Sequence, residues 1–457
     1  MNKRKDACSK RLQRRDKIKL CKVLCVALQL GVMVIGWQML QSGYDVFAQT
    51  SIMLTAIYAL ITIWLHNIYG SLYVGNHKVS TLCAGQLLTL GISDFMLTLL
   101  AALTMRRMPD LCVLSGVFVV QVLIGMIWCL VVNKYYFAIT PAASTLVIYG
   151  SQAHRDSLAE VFRLPEKYDI RIERCVDAYD ADPALLESDL KQTATVFLSG
   201  VDGWVREQIL RNSASTGRRV FIRPDLCDVV VSNTVRRYIA HTPMLMTAPV
   251  SQGAMYRVCK RTMDIVCSGL ALLVLSPVLG VVALLIHRED KGPVLYRQQR
   301  LTRGGRTFDI VKFRSMRVDA EKDGVARLAS ENDDRITCIG KVIRATRLDE
   351  LPQLWNILKG DMSIVGPRPE RPEIAARYEA ELPEFKARLL VKAGLTGYAQ
   401  VHGKYNSTPE DKLQMDLMYI SDMSIMMDLR LILQTIQIIF HKDSTEGVQQ
   451  GKTTAAD

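Results

Sequence analysis

Four long apolar segments in the first third of the chain constrain its fold more than any other feature. They occupy residues 20–40, 51–68, 82–105 and 111–132. Each approaches the length of about 20 residues that a helix needs to cross a bilayer. Only short connections separate them, and 49% of all residues are hydrophobic. Buried core helices of a soluble protein fit such a succession poorly, so the pattern predicts four transmembrane helices.

The basic N-terminal arm predicts how these helices are oriented. Residues 1–19 contain nine Lys or Arg against two Asp, and such an excess marks the cytoplasmic side of a membrane protein. The first external loop, residues 41–49, has no Lys or Arg, which agrees, whereas Arg106 and Arg107 in the second external loop disagree. No small-residue cleavage site follows the first apolar segment. We therefore expect residues 1–140 to form a retained basic arm and a four-helix membrane region.

Residues 141–250 have a soluble composition in which strand and helix patterns alternate. Strands are predicted at 144–149, 170–176, 194–198 and 219–222. This alternation indicates a small parallel α/β domain of Rossmann type. A dinucleotide-binding first turn is normally rich in glycine, but the turn after the first strand contains only Gly150. We therefore expect a role in assembly or regulation rather than cofactor binding.

The net charge of +12 restricts the classes of partner. A nucleic-acid partner is not expected, because the sequence has no zinc-finger spacing, no RNA-recognition motif and no basic stretch interleaved with aromatic residues. Anionic membrane lipids and phosphate-bearing substrates explain the charge better. The eleven cysteines are scattered, and the soluble regions have no closely spaced pair that would bind a metal.

The densest concentration of chemically useful side chains lies in residues 344–370. Pro352 suits the start of a helix and Gly360 its end, which predicts a short helix between them. Asp349 and Glu350 then lie at its N-terminus, where the helix dipole favours ionised carboxylates and bound phosphate. Three arginines surround them: Arg344, Arg347 and Arg368. A capped surface helix with ion pairs is the alternative, but guanidinium groups in this density suit phosphate binding better.

Several motifs in the last two fifths of the chain resemble one family. Residues 348–353 and 360–370 resemble the signature of bacterial polyprenyl-phosphate hexose-1-phosphate transferases. The other matching pieces are Lys260-Arg261 with Asp264, Gly292-Pro293-Val294, Gln298 to Arg300, Lys312-Phe313-Arg314-Ser315-Met316, Gly394-Leu395-Thr396-Gly397 and Gln400-Val401. Ordered motifs over such a span are a stronger signal than any single motif.

The resemblance implies an enzyme that moves hexose 1-phosphate from a UDP-sugar to undecaprenyl phosphate and releases UMP. Asp349 would attack the β-phosphate and carry the phosphosugar, and Glu350 would coordinate Mg²⁺. The long form with four preceding helices resembles glucose- and galactose-specific members, so glucose 1-phosphate is expected, with galactose or an N-acetylated sugar as alternatives. Downstream glycosyltransferases would use the product in exopolysaccharide, capsule or O-antigen synthesis.

The motifs also supply further candidate site residues. The cations expected to bind substrate phosphates are Arg344, Arg347, Arg368, Lys312, Arg314, Lys260 and Arg261. Asp264 either belongs to the site or orients Arg261. Pro367 and Pro369 predict a stiff turn around Arg368. The residues expected to shape the pocket, or a tight turn beside it, are Gly394, Thr396 and Gly397.

A fifth apolar segment, residues 266–286, is expected to enter the membrane without crossing it. Ser276-Pro277 interrupts its centre, where proline bends a helix. Both flanks are basic, so the positive-inside rule does not place them on opposite sides. We therefore predict a re-entrant helix at about residues 262–288 within a monotopic catalytic domain of residues 251–457. This domain would lie on the cytoplasmic face of the bacterial inner membrane; a kinked spanning helix is the alternative, and homodimerisation stays open.

Two other classes of function compete with this interpretation. A non-catalytic membrane scaffold for polysaccharide assembly would not need the Asp349-Glu350 pair and its arginines. A glycosyl transferase that moves only the sugar and releases UDP would carry an Asp-X-Asp metal motif, and Asp180-Ala-Asp182 lacks the expected context.

Overall fold

Contacts within the chain divide it into two units, Met1–Pro224 and Asp225–Asp457, and each is described by itself. The computed structural model describes residues 2–41, 48–75, 78–106, 108–139, 143–157, 170–180, 183–216, 218–232, 234–239, 242–246, 253–317, 335–403 and 408–439. All structural statements below concern these residues.

The first unit begins with four long helices. They are α1 (Asn2–Gln41), α2 (Ala48–Tyr69), α3 (Val79–Met105) and α4 (Leu111–Ile139). Helix α1 packs on α4, and α3 packs on both α2 and α4. Among the described residues, these four and one helix of the second unit are long and apolar enough to cross a membrane. Their outward faces expose apolar side chains such as Leu24, Ile63 and Phe95.

The interior of this helix bundle contains a chain of hydrogen-bonded polar side chains. Gln29 Nε2 donates to Gln86 Oε1 at 2.9 Å, and His66 Nε2 lies 3.1 Å from Gln29 Oε1. Gln121 Nε2 donates to Tyr58 Oη at 3.0 Å. These bonds join side chains of all four helices, and in apolar surroundings they fix the register of one helix against the next.

A four-stranded sheet follows the bundle. Its elements are β1 (Ala143–Tyr149), α5 (Gln152–Ser157), β2 (Ile170–Asp177), α6 (Pro183–Gln192), β3 (Thr195–Ser199), α7 (Gly203–Thr216) and β4 (Arg219–Ile222). The strand order is β2-β1-β3-β4, and every neighbouring pair is parallel. Leu146 and Ile148 of β1 pack with Val196 and Leu198 of β3 in its core. The four predicted strands are thus confirmed, and the helices between them allow the parallel pairing.

The second unit contains the remaining elements. They are α8 (Leu226–Ser232), β5 (Val235–Ile239), β6 (Thr242–Met246), α9 (Ala254–Asp290), β7 (Leu295–Leu301), β8 (Thr307–Phe313), α10 (Cys338–Ala345), α11 (Gln353–Lys359), β9 (Ser363–Val365), α12 (Pro372–Glu381), β10 (Gly394–Thr396), α13 (Tyr398–His402), α14 (Pro409–Ser421) and α15 (Ile425–Ile439). Strands β5 and β6 pair antiparallel, as do β7 and β8, whereas β9 and β10 pair parallel.

The main core of the second unit lies beneath β8, β9 and α11. Ile310, Ile357 and Val365 are buried there together with Tyr419 of α14 and Leu431 of α15. Helix α15 is thus buried on one side, and that side contributes to this core.

Helix α9 is 37 residues long, and it contacts other elements of the second unit near both of its ends. Near its N-terminus, Asp264 Oδ1 accepts a hydrogen bond from Ile364 N of β9 at 2.9 Å. Near its C-terminus, Val282 and Ile286 are buried in a cluster with apolar side chains of β8 and α10. The opposite side of the helix exposes Leu270, Leu273, Val274 and Val281, which are 60%, 72%, 65% and 58% exposed.

Ser276 and Pro277 lie in the middle of α9, which continues through the proline. Proline has no N–H, so the carbonyl four residues earlier, that of Leu273, loses its usual donor. Ser276 Oγ donates to this carbonyl at 2.7 Å. The serine hydroxyl thus replaces the missing backbone donor, which explains why these two residues are neighbours.

Candidate active site

Asp349 and Glu350 lie in a single 3₁₀ turn, Leu348–Glu350, between α10 and α11. Arg347, directly before this turn, has a φ of +58°. This is the left-handed region that residues other than glycine seldom adopt. The unusual backbone at Arg347 turns the chain sharply after α10, so the acidic pair Asp349–Glu350 and the arginine are presented together.

Helix α11 has the bounds that its punctuation predicts. Pro352 occupies the N-cap position, and Gly360 ends the helix with a φ of +98°, a conformation that glycine adopts without strain. The prediction of a short helix is therefore confirmed. The acidic pair precedes the helix in its own turn rather than occupying the first helical turn.

Glu350 is surrounded by cations. Its Oε1 accepts hydrogen bonds from Arg368 Nη2 at 2.8 Å and from Lys312 Nζ at 3.4 Å, and its Oε2 lies 4.0 Å from Arg347 Nη1. Burial alone would raise the pKa of Glu350, but Arg368, Lys312 and Arg347 outweigh it and hold the pKa well below its ordinary value. Glu350 is therefore ionised throughout the neutral pH range.

Asp349 has a different environment from its neighbour. Burial and the adjacent charge of Glu350 raise its pKa above the ordinary value, although Lys312 and Arg344 oppose this shift. A poorly solvated carboxylate is, once ionised, a stronger nucleophile than one in water.

The segment that carries Arg368 is held by its backbone carbonyls. Two backbone N–H groups donate to it: Gly394 N to Pro367 O at 2.9 Å and Leu301 N to Glu370 O at 3.0 Å. Two arginine side chains donate as well: Arg388 Nη2 to Arg368 O at 3.0 Å and Arg300 Nη1 to Pro369 O at 3.1 Å. Four consecutive carbonyls are thus fixed, and the prolines on either side of Arg368 restrict its backbone further. The guanidinium is therefore presented to Glu350 from a rigid support.

Arg388 is a residue that sequence reasoning missed. It is 4% exposed, and its Nη2 also donates to Asp416 Oδ2 at 2.6 Å, while Nη1 lies 3.5 Å from Glu370 Oε1. The sequence around Arg388 gives no local signal of this role. Only the fold brings it to Asp416 and to the carbonyl of Arg368.

A small, partly open cavity adjoins the acidic pair. It is lined by Arg300, Ile310, Lys312, Gln353, Arg368, Pro369 and Gly394. Lys312 and Arg368 also contact Glu350, so the cavity opens beside that carboxylate. Arg300 lies in a motif of the sequence but had no predicted role.

Lys260 contacts α14 and α15 from helix α9. Its Nζ donates to Asp428 Oδ2 at 2.9 Å and to Tyr419 Oη at 3.2 Å. Tyr419 Oη in turn donates to Asp428 Oδ1 at 2.7 Å, and Asp428 is 0% exposed. This network joins α9 to the core. A role for Lys260 in binding a lipid phosphate stays a prediction.

Arg261 and Asp264 bond to different elements. Arg261 donates to the carbonyls of Ile357 and Leu358 at 2.7 and 2.8 Å, and so caps the C-terminus of α11. Asp264 bonds to β9, where Ser363 Oγ also donates to its Oδ1 at 3.1 Å. Both side chains therefore tie α9 to the elements that flank the acidic pair.

The other predicted residues support the site from outside the acidic pair. Arg314 forms an ion pair with Asp290 at the end of α9. Thr396 Oγ1 lies 2.6 Å from Thr435 Oγ1 of α15. A Cβ on Gly394 would lie 2.1 Å from Gly366 N, and one on Gly397 would lie 2.2 Å from Gly366 O. The two glycines are needed for close backbone packing beside Pro367.

The structure thus gathers some of the predicted side chains and separates others. Those that act on the acidic pair, by contact or by charge, are Arg344, Arg347, Arg368 and Lys312. Those engaged elsewhere are Arg314, Lys260, Arg261 and Asp264. The catalytic and phosphate-binding roles of all these residues stay predictions.

The acidic pair suits a hard divalent cation. Mg²⁺ usually binds one or two carboxylates together with substrate phosphates and water. No three His, Cys, Asp or Glu side chains within the described residues are grouped to hold a metal. A cation would therefore rely on Asp349 and on Glu350 Oε2, because Oε1 already accepts from Arg368 and Lys312.

Comparison with known proteins matches the region that contains this site. Residues 255–442 match the family model of the bacterial sugar transferases. The UDP-N-acetylgalactosamine-undecaprenyl-phosphate N-acetylgalactosaminephosphotransferase of Aeromonas hydrophila is 41% identical over 187 residues, which are 40% of this chain and 44% of that protein. The UDP-glucose:undecaprenyl-phosphate glucose-1-phosphate transferase of Escherichia coli K12 is 35% identical over 240 residues, 51% of this chain and 52% of that protein. The chain thus spans about half the length of these two relatives.

A third relative is matched over most of its length. The UDP-glucose:undecaprenyl-phosphate glucose-1-phosphate transferase of Caulobacter vibrioides is 40% identical over 190 residues, 40% of this chain and 71% of that protein. Residues 255–442, which match the family model, contain the acidic pair, its arginines and the segment around Arg368. The chain therefore belongs to the bacterial sugar transferase family.

Proposed function

We propose that this protein transfers hexose 1-phosphate from a UDP-sugar to undecaprenyl phosphate and releases UMP. The observation that carries the proposal is the acidic pair: one carboxylate is held ionised by three cations, and a second lies beside it with a raised pKa. A non-catalytic scaffold would gain nothing from this costly arrangement of buried charge.

The chemistry exchanges one phosphoanhydride bond for another. An oxygen of Asp349 attacks the β-phosphorus of the donor, the bond from that phosphorus to the bridging oxygen breaks, and the electron pair leaves with UMP. An oxygen of undecaprenyl phosphate then attacks the same phosphorus and frees Asp349. Because the bonds broken and formed are of the same type, the overall transfer needs no other energy source.

The cations around the pair stabilise this transfer. Phosphoryl transfer depends mainly on positioning and on neutralising charge at the phosphoryl oxygens. Arg344, Arg347 and Arg368 supply guanidinium groups, and Lys312 supplies an ammonium group, within the field of the pair. A Mg²⁺ ion held by Glu350 would add Lewis-acid stabilisation of the phosphate oxygens.

The donor is proposed to be UDP-glucose. Two of the relatives above are named as glucose-1-phosphate transferases, and one is named for N-acetylgalactosamine. Galactose and N-acetylated sugars are therefore the alternatives. The lipid-linked sugar would serve downstream glycosyltransferases at the start of exopolysaccharide, capsule or O-antigen synthesis.

We also propose that α9 is a re-entrant helix and that α1 to α4 cross the inner membrane. The catalytic domain would lie in the cytoplasm, and a Rossmann-like domain would connect it in sequence to the four membrane helices. A helix that crossed a bilayer would carry its two ends to opposite sides. Asp264 and Ile286, near the two ends of α9, both contact the same unit. One side of the helix lies along the domain, and the exposed apolar side would lie in lipid.

Three native cysteines test this topology. Cys259 lies near the N-terminus of α9, Cys338 lies beyond its C-terminus at the start of α10, and Cys112 lies at the start of α4; all three are exposed. In intact cells, a membrane-impermeant thiol reagent is expected to modify Cys112 only, and permeabilised cells should show modification of all three by peptide mass spectrometry. Labelling of Cys338 in intact cells would mean that α9 crosses the membrane.

The proposed reaction is tested by the nucleotide that is released. Purified protein with Mg²⁺ is incubated with a panel of UDP-sugars, with and without undecaprenyl phosphate, and UMP is separated from UDP. Release of UMP that depends on one sugar nucleotide would establish phosphosugar transfer and name the donor. UDP would indicate transfer of the sugar alone, and no release from any donor would favour the scaffold.

A further inference from the structure

Three cationic side chains line the cavity beside the acidic pair: Arg300, Lys312 and Arg368. Lys312 and Arg368 share a single carboxylate, Glu350. The guanidinium of Arg300 donates to two neutral acceptors, Pro369 O at 3.1 Å and Gln298 Oε1 at 2.7 Å. Its Nε is buried without a hydrogen-bond partner among the described residues. Arg300 thus differs from Lys312 and Arg368, because its hydrogen bonds go to neutral groups and Glu370 acts on it by charge without such a bond.

The three cations also repel one another. Burial and the neighbouring Arg368 lower the pKa of Arg300 to about 10, although Glu370 opposes this shift. Burial lowers the pKa of Lys312 as well, against the effect of Glu350, and Arg368 and Arg300 lower it further. A bound anion would relieve the repulsion that the carboxylates leave among these cations.

The position of the cavity distinguishes between the two phosphates that the reaction needs. No residue of the membrane helix α9 lines it. Another cation that acts on Asp349, Arg344, follows Ile343 on α10, and Ile343 packs against Ile286 of α9. The acidic pair thus has Arg344 near the membrane helix, whereas Lys312 and Arg368 line the cavity.

We infer that the cavity lined by Arg300, Lys312 and Arg368 is a subsite for the α-phosphate of the nucleotide donor, whereas the lipid phosphate approaches from the side of Arg344. This inference rests on the proposed function. When the bond between the β-phosphorus and the bridging oxygen breaks, the electron pair passes to an oxygen of the α-phosphate, and the cations of the cavity stabilise that charge. Arg300 also holds the carbonyl of Pro369, so binding of the leaving group and support of Arg368 are coupled.

The test compares two arginines of the same strand. Arg300→Gln removes a half-buried cation of the cavity, and Arg297→Gln makes the same change at an exposed position of β7. Affinity for UMP and for uridine is measured by titration calorimetry with the full-length protein in lipid nanodiscs. We expect Arg300→Gln to weaken UMP binding about 10- to 100-fold, the usual loss for one charge-assisted hydrogen bond. Uridine binding should not change, and Arg297→Gln should bind both ligands like the unaltered protein.

A second variant, Arg300→Lys, retains the positive charge. Arg300→Lys should recover part of the UMP affinity even if Arg300→Gln folds poorly. Equal UMP binding by the unaltered protein and Arg300→Gln would overturn the subsite, as would an equal loss of uridine binding. A rise in the KM for undecaprenyl phosphate without loss of UMP affinity would instead assign the cavity to the lipid phosphate.

Binding of UMP is an equilibrium measurement that does not require turnover. The unaltered protein could bind UMP through Arg300 and yet release no UMP from any donor. This result would contradict the proposed reaction but would still support the anion subsite. An active protein whose Arg300→Gln variant binds UMP normally would contradict the subsite alone.

Discussion

Asp349→Asn is expected to abolish the covalent phosphosugar intermediate and to lower kcat by about 10⁴-fold or more, as loss of a catalytic nucleophile does in other enzymes. The amide has nearly the shape of the carboxylate, so the turn Leu348–Glu350 should persist. The measurement is capture of radiolabelled sugar phosphate on the protein after acid quench, together with UMP release. Turnover by the variant at the unaltered rate would refute the role of Asp349.

Glu350→Gln is the matched comparison because it alters the neighbouring carboxylate in the same way. Glu350 is the proposed ligand of Mg²⁺, so this variant should need more Mg²⁺ for half-maximal rate while still forming the intermediate. If both variants lost the intermediate equally, the proposed division of roles between the two residues would be wrong.

The raised pKa of Asp349 adds a pH dependence with a definite sign. The nucleophile must be ionised, and burial together with Glu350 raises its pKa. Activity should therefore fall as the pH decreases through the raised pKa, at a higher pH than for an ordinary aspartate. Glu350→Gln removes the adjacent negative charge, so the acidic limb of its kcat/KM profile should move to lower pH.

Arg388→Met is expected to cause the largest loss of stability. It leaves Asp416, which is 1% exposed, without the guanidinium that lies 2.6 Å away, and Arg368 O loses a donor. Removal of one partner of a buried ion pair costs about 3–5 kcal/mol. The midpoint of thermal unfolding, followed in detergent, should fall by roughly 10 °C, and UMP release should fall with it.

Lys386→Met is the control for this prediction, because Lys386 is exposed in the same 3₁₀ turn, Pro383–Leu390. It should leave the midpoint unchanged. In the double variant Arg388→Met with Asp416→Asn, the uncompensated carboxylate is gone, so part of the loss should be recovered. An unchanged midpoint for Arg388→Met would show that the buried pair does not support the segment of Arg368.

The sequence predicted those parts of the site that depend on neighbouring residues. Pro352 and Gly360 set the bounds of α11 through local backbone preferences, and Arg347 stands only two residues from Asp349. Contacts between distant residues were not predictable in this way. Lys260 meets Asp428, 168 residues later in the chain, and Arg388 has no local pattern that distinguishes it from a surface arginine.

The four parallel strands followed from the alternation of apolar and helical segments, because such patterns repeat within short windows. The hydrogen bonds and ion pairs of Glu350 could not be predicted from a local pattern, because three cations from different parts of the chain meet at this one carboxylate. A sequence identifies which residues are charged. Only the fold decides which of these charges neutralise each other and which are left for a substrate.

Helix α9 contributes to the folding of the catalytic domain as well as to its apolar surface. Val282 and Ile286 belong to the cluster that contains Phe313 and Ile343, directly before the turn that carries Asp349. The other side of the same helix exposes Leu273 to its surroundings. This helix therefore completes the core with one side and leaves an apolar surface on the other. A version of the protein without α9 would lose part of that core, so truncation at this helix is expected to destabilise the domain as well as remove its apolar surface.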